Sequence, residues 1–173
     1  MKKIALSAAI LMGACGSVYA QDPGVYIGVK GGSFRVDVTE ANTNNPTAKG
    51  FVLGYNLGNG PAIEFERNSS DTFSASQYVY YYGNVTAEGE IETTALYFAY
   101  RSEGTFFFKV KGGILKEDVK LDTYGERFNE SDTGLTMGAG LGFNLGDVAQ
   151  IEAEYTIIEQ DVGYLSLGLN LRF

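Results

Sequence analysis

Hydrophobic and polar residues alternate one by one along most of the chain after about residue 24. The clearest segment is 135–145, in which the odd positions are apolar and the even positions are small or polar. The same alternation recurs in 150–157 and in 164–173. Because successive side chains of a strand point to opposite faces, this period of two predicts β-strands with one apolar and one polar face. The longer period and the capping residues of a helix are missing from the sequence.

The same rule, applied to the whole chain, predicts eight strands. They cover about 25–37, 48–57, 61–70, 87–101, 105–121, 135–145, 150–157 and 164–173. Short turns at 58–60, 102–104 and 146–148 interleave with longer polar loops at about 38–47, 69–86 and 122–131. An even number of antiparallel strands with this alternation of connections is typical of bacterial membrane barrels, whose long loops face the outside. The sequence therefore predicts an all-β fold, an eight-stranded antiparallel up-and-down transmembrane β-barrel.

The first twenty residues follow a different pattern. Two lysines, a short apolar run and small residues succeed one another up to Ala20. This order is typical of a secretory signal peptide, so we expect 1–20 to be the signal peptide and 21–173 the barrel domain. The alternative is a lipoprotein acylated at Cys15, but Met12 stands where such signals usually have leucine.

Charged residues lie on the polar faces of the predicted strands. They are Lys30, Glu64, Glu66, Lys109, Lys111, Glu152, Glu154 and Arg172. Four are basic and four acidic, although the chain without Lys2 and Lys3 keeps 11 of its 13 basic residues against 21 acidic ones, a formal charge of −10. Because buried charges must be paired, a neutral set suits a narrow, enclosed lumen.

The small residues of the polar faces favour the same arrangement. Gly138, Gly140 and Gly142 would leave room for long side chains inside an eight-stranded barrel, whereas glycine on a water-facing strand only weakens it. We therefore expect the polar faces to line the lumen and the apolar faces to contact lipid. A soluble, lipocalin-like periplasmic carrier, which also has eight alternating strands, is the minor alternative.

Three segments, 25–32, 62–66 and 164–173, resemble the small outer-membrane β-barrels related to the transmembrane domain of OmpA and to the opacity-type porins. The resemblance extends over about residues 24–173. In the last segment, the outward residues look like the signal read by the barrel-assembly machinery: Leu165, Leu167, Leu169, Leu171 and Phe173. The resemblance implies insertion into a bacterial outer membrane after export, with that machinery and periplasmic chaperones as partners during biogenesis. It implies membrane lipid and lipopolysaccharide as the surroundings of the folded barrel.

Residues suited to catalysis or metal binding are scarce. The sequence contains no histidine, the usual general base for a serine or threonine nucleophile. The pairs Glu64/Glu66 and Glu152/Glu154 could do acid–base work, but interior salt bridges are the favoured interpretation. We expect no enzyme activity, no metal and no cofactor, and the acidic charge argues against a nucleic-acid partner.

Tyrosines cluster in the second long loop, at Tyr78, Tyr80, Tyr81 and Tyr82. Tyrosine is large and rigid with a polar tip, which suits a contact surface, although a hairpin with mutually packed tyrosines is the alternative. We predict a non-enzymatic barrel that contributes to envelope integrity and to surface interaction or adhesion through loops 38–47, 69–86 and 122–131. Its ligand would lie on a host or another cell surface. A narrow channel for small solutes is the alternative function.

Overall fold

The computed structural model describes residues 23–36, 45–79, 83–123, 126–159 and 162–173, with the backbone alone for 36, 73–79, 83–88, 121–123, 126–128 and 159. Its strands are β1 (Gly24–Val36), β2 (Thr47–Asn56), β3 (Pro61–Ser70), β4 (Phe73–Val79), β5 (Gly83–Arg101), β6 (Phe106–Thr123), β7 (Glu126–Leu145), β8 (Ala149–Glu159) and β9 (Val162–Arg172). Across these residues we find no helix of the length and hydrophobicity that a membrane crossing requires.

The strands form one antiparallel sheet that closes on itself. Their order is β3-β2-β1-β9-β8-β7-β6-β5-β4, and β3 also pairs with β5. β3 and β4 both pair with β5, since Ser69 pairs with Glu92 and Phe73 pairs with Gly89. The chain between Ser69 and Phe73 contains one residue more than the facing part of β5. Together they occupy a single position in the barrel. The structure thus confirms the eight-stranded antiparallel barrel.

The first and last strands complete the closure. In their register Val29 pairs with Leu169 and Lys30 pairs with Gly168. The apolar pair Val29 and Leu169 is exposed on the outer wall, whereas Lys30 is buried inside. Because a slip of one residue would reverse these faces, the alternation of the two strands fixes the register of the closing pair.

The short connections lie at one end of the barrel, where β1 also begins and β9 ends. In the first connection Gly58, Asn59 and Gly60 have φ angles of 92°, 57° and 106°. Glycine adopts positive φ without strain and asparagine tolerates it, so these residues permit a tight reversal. Short turns of bacterial membrane barrels face the periplasm. We call this end the inner end and the opposite one the outer end.

Three strands are much longer than a membrane crossing requires. β5, β6 and β7 contain 19, 18 and 20 residues, whereas about 9–11 tilted residues span a bilayer. Two of the three predicted loops are therefore hairpins: 69–86 contains β4 and the start of β5, and 122–131 contains the end of β6 and the start of β7. Most of the third, 38–47, lies outside the described residues. We call β4, the part of β5 before Leu96, the part of β6 after Ile114 and the part of β7 before Leu135 the outer sheet.

Large apolar side chains cover the wall of the barrel. Leu135 exposes 87% of its surface and Phe106 exposes 78%. Aromatic rings gather near the inner end, where the rings of Phe106 and Phe143 are 4.8 Å apart and those of Tyr100 and Phe108 are 6.2 Å apart. A continuous apolar wall of this kind is a surface for lipid rather than water, and aromatic residues are typical of the membrane interface. The soluble carrier, which would bury its apolar face, is inconsistent with it.

Candidate functional site

Charged side chains fill the middle of the lumen. Those that the structure buries there are Lys30, Glu64, Glu66, Arg101, Lys109, Lys111, Glu152 and Glu154. None exposes more than 6% of its surface. They come from β1, β3, β5, β6 and β8, and four are basic and four acidic. We call these eight side chains the ion cluster.

Arg101 organises the inner half of the ion cluster. Its Nε lies 2.6 Å from Glu152 Oε1 and its Nη2 lies 2.5 Å from Glu64 Oε1. Its Nη1 donates to the hydroxyl of Tyr26 at 3.0 Å, and that hydroxyl donates to Glu64 Oε1 at 2.6 Å. The planar guanidinium can hold several acceptors in fixed directions. Arg101 on β5 thereby ties β3 and β8 together through the lumen.

Lys109 joins the inner half to the outer half. Its Nζ lies 2.8 Å from Glu64 Oε1, 3.0 Å from Glu152 Oε2 and 2.5 Å from Glu154 Oε1. One ammonium group thus faces three carboxylates that belong to two strands. Because a buried charge is tolerated only when it is paired, Lys109 is the cation on which most of the buried negative charge depends.

Two lysines hold the outer half of the ion cluster. Lys30 Nζ lies 3.0 Å from Glu66 Oε2 and 2.6 Å from Glu154 Oε2. Lys111 Nζ lies 2.6 Å from Glu66 Oε1 and 3.2 Å from Glu154 Oε2. The Lys111 ammonium also lies 4.3 Å from the centre of the Tyr97 ring, within reach of a cation–π interaction. The two lysines and two glutamates form a closed square across β1, β3, β6 and β8.

Glycines make room for these side chains. A Cβ on Gly138 would lie 3.0 Å from Lys111 Cε, and a Cβ on Gly140 would lie 2.9 Å from Glu154 Cγ. Toward the inner end, a Cβ on Gly142 would lie 2.1 Å from the Phe107 ring. The glycines of β7 therefore provide the space into which neighbouring strands direct long side chains.

A second, apolar layer lies between the ion cluster and the outer end. Its members are Phe34, Ala48, Ile91, Ala95, Tyr97, Leu115, Ile158 and Tyr164, with Val162 packed against them. The rings of Phe34 and Tyr164 are 4.7 Å apart. We call these residues the apolar layer. It separates the ion cluster from water on the outer side, which strengthens the electrostatic interactions within the cluster.

One predicted lumen residue, Arg172, lies apart from the ion cluster. Its Nη2 donates to Asn144 Oδ1 at 3.1 Å and to the carbonyl oxygen of Gly146 at 3.3 Å, at the inner mouth. Arg172 is at the end of β9, where alternation still directs it inward but the lumen has already opened. The sequence analysis did not include Arg101 in the set. The sequence gives no clear signal for it, because residues 96–100 are apolar on both faces. In the structure Leu96, Phe98 and Tyr100 are exposed on the outer wall, which places Arg101 on the inner face.

Three carboxylates of the ion cluster could in principle hold a metal. Glu64, Glu66 and Glu154 each present an oxygen within 4.8 Å of the others. Lys109 and Lys111 already supply positive charge at this point, so a divalent cation would have to displace their ammonium groups. The same pairing opposes acid–base chemistry, because a carboxylate held between ammonium groups is a weak proton acceptor.

Two predicted features lie elsewhere. The backbone of Tyr78 belongs to β4 and pairs with Asn84, while Tyr80, Tyr81 and Tyr82 lie outside the described residues. The outward residues of the last strand, predicted as the assembly signal, all face the lipid side: Leu165, Leu167, Leu169, Leu171 and Phe173.

The outer sheet carries exposed ion pairs on its outward face. Lys120 donates to Glu92 at 2.9 Å, which lowers the pKa of the Glu92 carboxyl and raises the pKa of Lys120. Hydrogen bonds from Lys116 and then from Ser131 lower the pKa of the Asp118 carboxyl. The contact of Lys120 with Glu92 connects β5 to β6, and the contact of Ser131 with Asp118 connects β6 to β7.

The closed antiparallel barrel recurs in known structures. OprG of Pseudomonas aeruginosa is similar with a TM-score of 0.65 and 12% identity, over 88% of this chain and 97% of that one. Neisserial surface protein A is similar with a TM-score of 0.64 and 12% identity, over 89% of this chain and 99% of that one. Ail, the attachment invasion locus protein of Yersinia pestis, is similar with a TM-score of 0.57 and 20% identity, over 87% of this chain and 97% of that one. A search of the curated proteins finds no match to this chain.

A family model matches nearly the whole sequence. The model describes the outer membrane protein beta-barrel domain, and it matches residues 6–173. The closed antiparallel sheet and the apolar wall agree with the match. The chain therefore belongs to the outer-membrane β-barrel family, and the protein is an integral β-barrel of a bacterial outer membrane.

Proposed function

We propose that the protein is a closed, non-enzymatic surface barrel that acts through contacts of its outer end rather than by passing solutes. The observation that carries the proposal is the ion cluster, whose charged groups meet across the lumen at 2.5–3.2 Å. An eight-stranded lumen is just wide enough for side chains to fill. The apolar layer is packed above the cluster and occupies the next level of the lumen, which argues against the narrow channel.

The absence of catalysis is also part of the proposal. It is supported by the lack of histidine in the sequence and by the lysine or arginine that faces each glutamate of the ion cluster. A general base needs a free lone pair within reach of a substrate. The ion cluster offers neither a free carboxylate nor access to one.

The outer sheet offers the contact surface. Its hairpins exceed a membrane crossing by about eight residues a strand, roughly 25 Å of chain. Within the described residues, the outer part of β7 pairs only with β6, because its pairing with β8 begins at Met137. The free backbone groups of such an edge can pair with an extended segment of a partner. We propose that this sheet, with loops 38–47, 69–86 and 122–131, mediates adhesion and lateral contacts that support the envelope.

Shortened hairpins test the proposal. In one variant an Asn-Gly turn replaces residues 119–130 between Asp118 and Ser131, and in another it replaces 76–86 between Ala75 and Ala87. Asp118 lies opposite Ser131 and Ala75 lies opposite Ala87 in the strand register, so the barrel is expected to fold. Folding is checked on a gel, where a folded barrel in an unboiled sample migrates differently from the same protein after boiling. Attachment of expressing bacteria to a layer of cultured host cells is expected to fall to the level of bacteria without the protein.

The matched control changes the inner end. An Asn-Gly replacement of Gly146-Asp147 alters a turn that faces the periplasm and is expected to leave attachment unchanged. Attachment that survives both hairpin deletions, or wild-type cells that attach no better than cells lacking the protein, would contradict a role in adhesion.

A further inference from the structure

One face of the outer sheet continues the lining of the lumen beyond the membrane. Ile91 on β5 and Leu115 on β6 belong to this face, and both are buried in the apolar layer. Because alternate residues of a strand share a face, the strand register extends the same face outward from these two positions. We call it the inward face of the outer sheet.

The opposite wall of the barrel is too short to cover the inward face. Its strands β1, β2, β8 and β9 each stop within two residues of a member of the apolar layer. By contrast, β5 extends eight residues outward from Ile91 to Gly83, and β6 extends eight from Leu115 to Thr123. Within the described parts of the chain, no strand therefore stands across from the inward face above the apolar layer.

Apolar residues recur along the inward face. The register aligns one row across all four strands of the outer sheet: Phe73 on β4, Gly89 on β5, Leu121 on β6 and Phe128 on β7. In the next row toward the membrane, Ile91 lies opposite Val119, which is half-buried. A sheet with an apolar face is most stable when another element packs against that face.

Acidic residues border these rows on β7. Glu130 lies opposite Val119, and Asp132 lies opposite the buried Glu117. Glu130 and Asp132 are exposed, and among the described side chains neither takes part in an ion pair, whereas several carboxylates of the outward face do. Because carboxylates directly opposite each other repel, positive charge brought to this side of the sheet would stabilise it.

Open space lies beside the acidic residues. Gly134 is on the same face of β7, opposite Leu115, and a Cβ added to it would meet no atom within 4 Å. The four strands span roughly 14 Å at about 4.8 Å a spacing, and eight residues extend for roughly 27 Å. An α-helix is about 10–12 Å wide with its side chains, so one helix fits on this face. An extended segment would instead pair with a sheet edge and leave the apolar rows uncovered.

We propose that the inward face of the outer sheet binds a cationic amphipathic helix of a partner protein. The apolar side of the helix packs on the rows that contain Val119 and Leu121, and its lysines or arginines pair with Glu130 and Asp132. The proposal rests on the proposed function of the outer sheet as a contact surface, and it adds the chemistry of the partner. Charge complementarity favours this occupant over a neutral or acidic one.

A peptide-binding experiment tests this site. The full-length barrel is placed in phosphatidylcholine nanodiscs, and the probe is a fluorescent leucine–lysine helix of about 18 residues, the length that covers roughly 27 Å. Its leucines recur at intervals of three and four residues. One control peptide has the same composition in scrambled order, and another has glutamate in place of lysine. Binding is read from fluorescence anisotropy after subtraction of discs without protein.

Three variants of the barrel are compared with wild type. The first combines Glu130→Gln with Asp132→Asn, and the second is Val119→Asn. The matched control combines Glu90→Gln with Asp118→Asn, which removes the same charge from the outward face of the same sheet. Unboiled gel samples verify that each variant is folded.

The first two variants are each expected to bind the leucine–lysine helix about tenfold more weakly than wild type, because two ion pairs or one buried valine are lost. The outward control is expected to stay within about twofold of wild type. Equal affinity of the inward and outward charge variants would overturn the proposal. Equal binding of the scrambled or glutamate peptide by wild type would also overturn it, even if a variant folds poorly.

The two proposals for the outer sheet can fail separately. If wild type does not distinguish the peptides but attachment is still lost with the shortened hairpins, the contact surface stands and the helical partner is wrong. If wild type binds the leucine–lysine helix selectively but bacteria attach without the hairpins, the binding site stands and adhesion is wrong.

Discussion

The Lys109→Met variant is expected to lose about 3–5 kcal/mol of unfolding free energy, because removal of one partner leaves buried charge without compensation. Methionine keeps most of the lysine volume, so the loss reports on charge rather than on packing. Lys109 contacts Glu64, Glu152 and Glu154 at 2.5–3.0 Å, and only Arg101, Lys30 and Lys111 remain to balance the four glutamates. The measurement is a urea titration in detergent micelles, with the folded fraction read from unboiled gel samples.

Two further variants separate charge pairing from other effects. Lys49→Met removes an exposed lysine and is expected to change the unfolding free energy by less than about 0.5 kcal/mol. The double variant Lys109→Met with Glu152→Gln restores neutrality and leaves the Arg101–Glu64 contact at 2.5 Å in place. It is expected to recover a large part of the loss. If the double variant is as unstable as the sum of both single changes, the ion cluster does not act through paired charges.

Gly113→Val is expected to destabilise the barrel by more than about 4 kcal/mol or to prevent folding, because the backbone of the neighbouring strand blocks any side chain there. A Cβ on Gly113 would lie 2.0 Å from the carbonyl oxygen of Leu96 and 2.9 Å from Tyr97 Cα. Backbone atoms inside a sheet cannot move aside without separating β5 from β6. Two quantities are expected to fall: the urea concentration at which half of the protein is unfolded, and the yield of folded protein in unboiled gel samples.

Gly134→Val is the matched control for this prediction. Gly134 is a glycine of the adjacent strand β7, and a Cβ at this position would meet no atom within 4 Å. The same substitution is therefore expected to leave the urea midpoint nearly unchanged. Equal midpoints for the two variants would mean that β5 and β6 are not as close at Gly113 as the structure has them.

The strands of the barrel could be predicted because lipid outside and charge inside impose a strict alternation. Glu64, Glu66, Glu152 and Glu154 stand out in the sequence for this reason. Arg101 does not, because the segment before it is apolar on both faces and gives no sign of which face is inner until Tyr97 and Ala99 are known to be buried. For residues such as Arg172, alternation gives the face but not the depth along the lumen.

The outer hairpins and the specific ion pairs could not be predicted in the same way. Beyond the membrane both faces of β7 are largely polar, as at Ser131 and Asp132, so the alternation that marks a strand is lost there. The pairs of the ion cluster join strands that are not neighbours in the chain, such as Lys30 on β1 with Glu154 on β8. Such contacts depend on how the closed barrel brings distant strands together, which a pattern along one strand does not contain.

Conductance in a planar bilayer tests the closed lumen most directly. Purified, folded protein is added to a bilayer in which a general porin, added separately, gives the positive control. If the ion cluster and the apolar layer fill the lumen, the wild-type protein gives no steady current at any applied voltage. Steady, voltage-independent channels of porin size would contradict a closed barrel and would favour solute passage as the function.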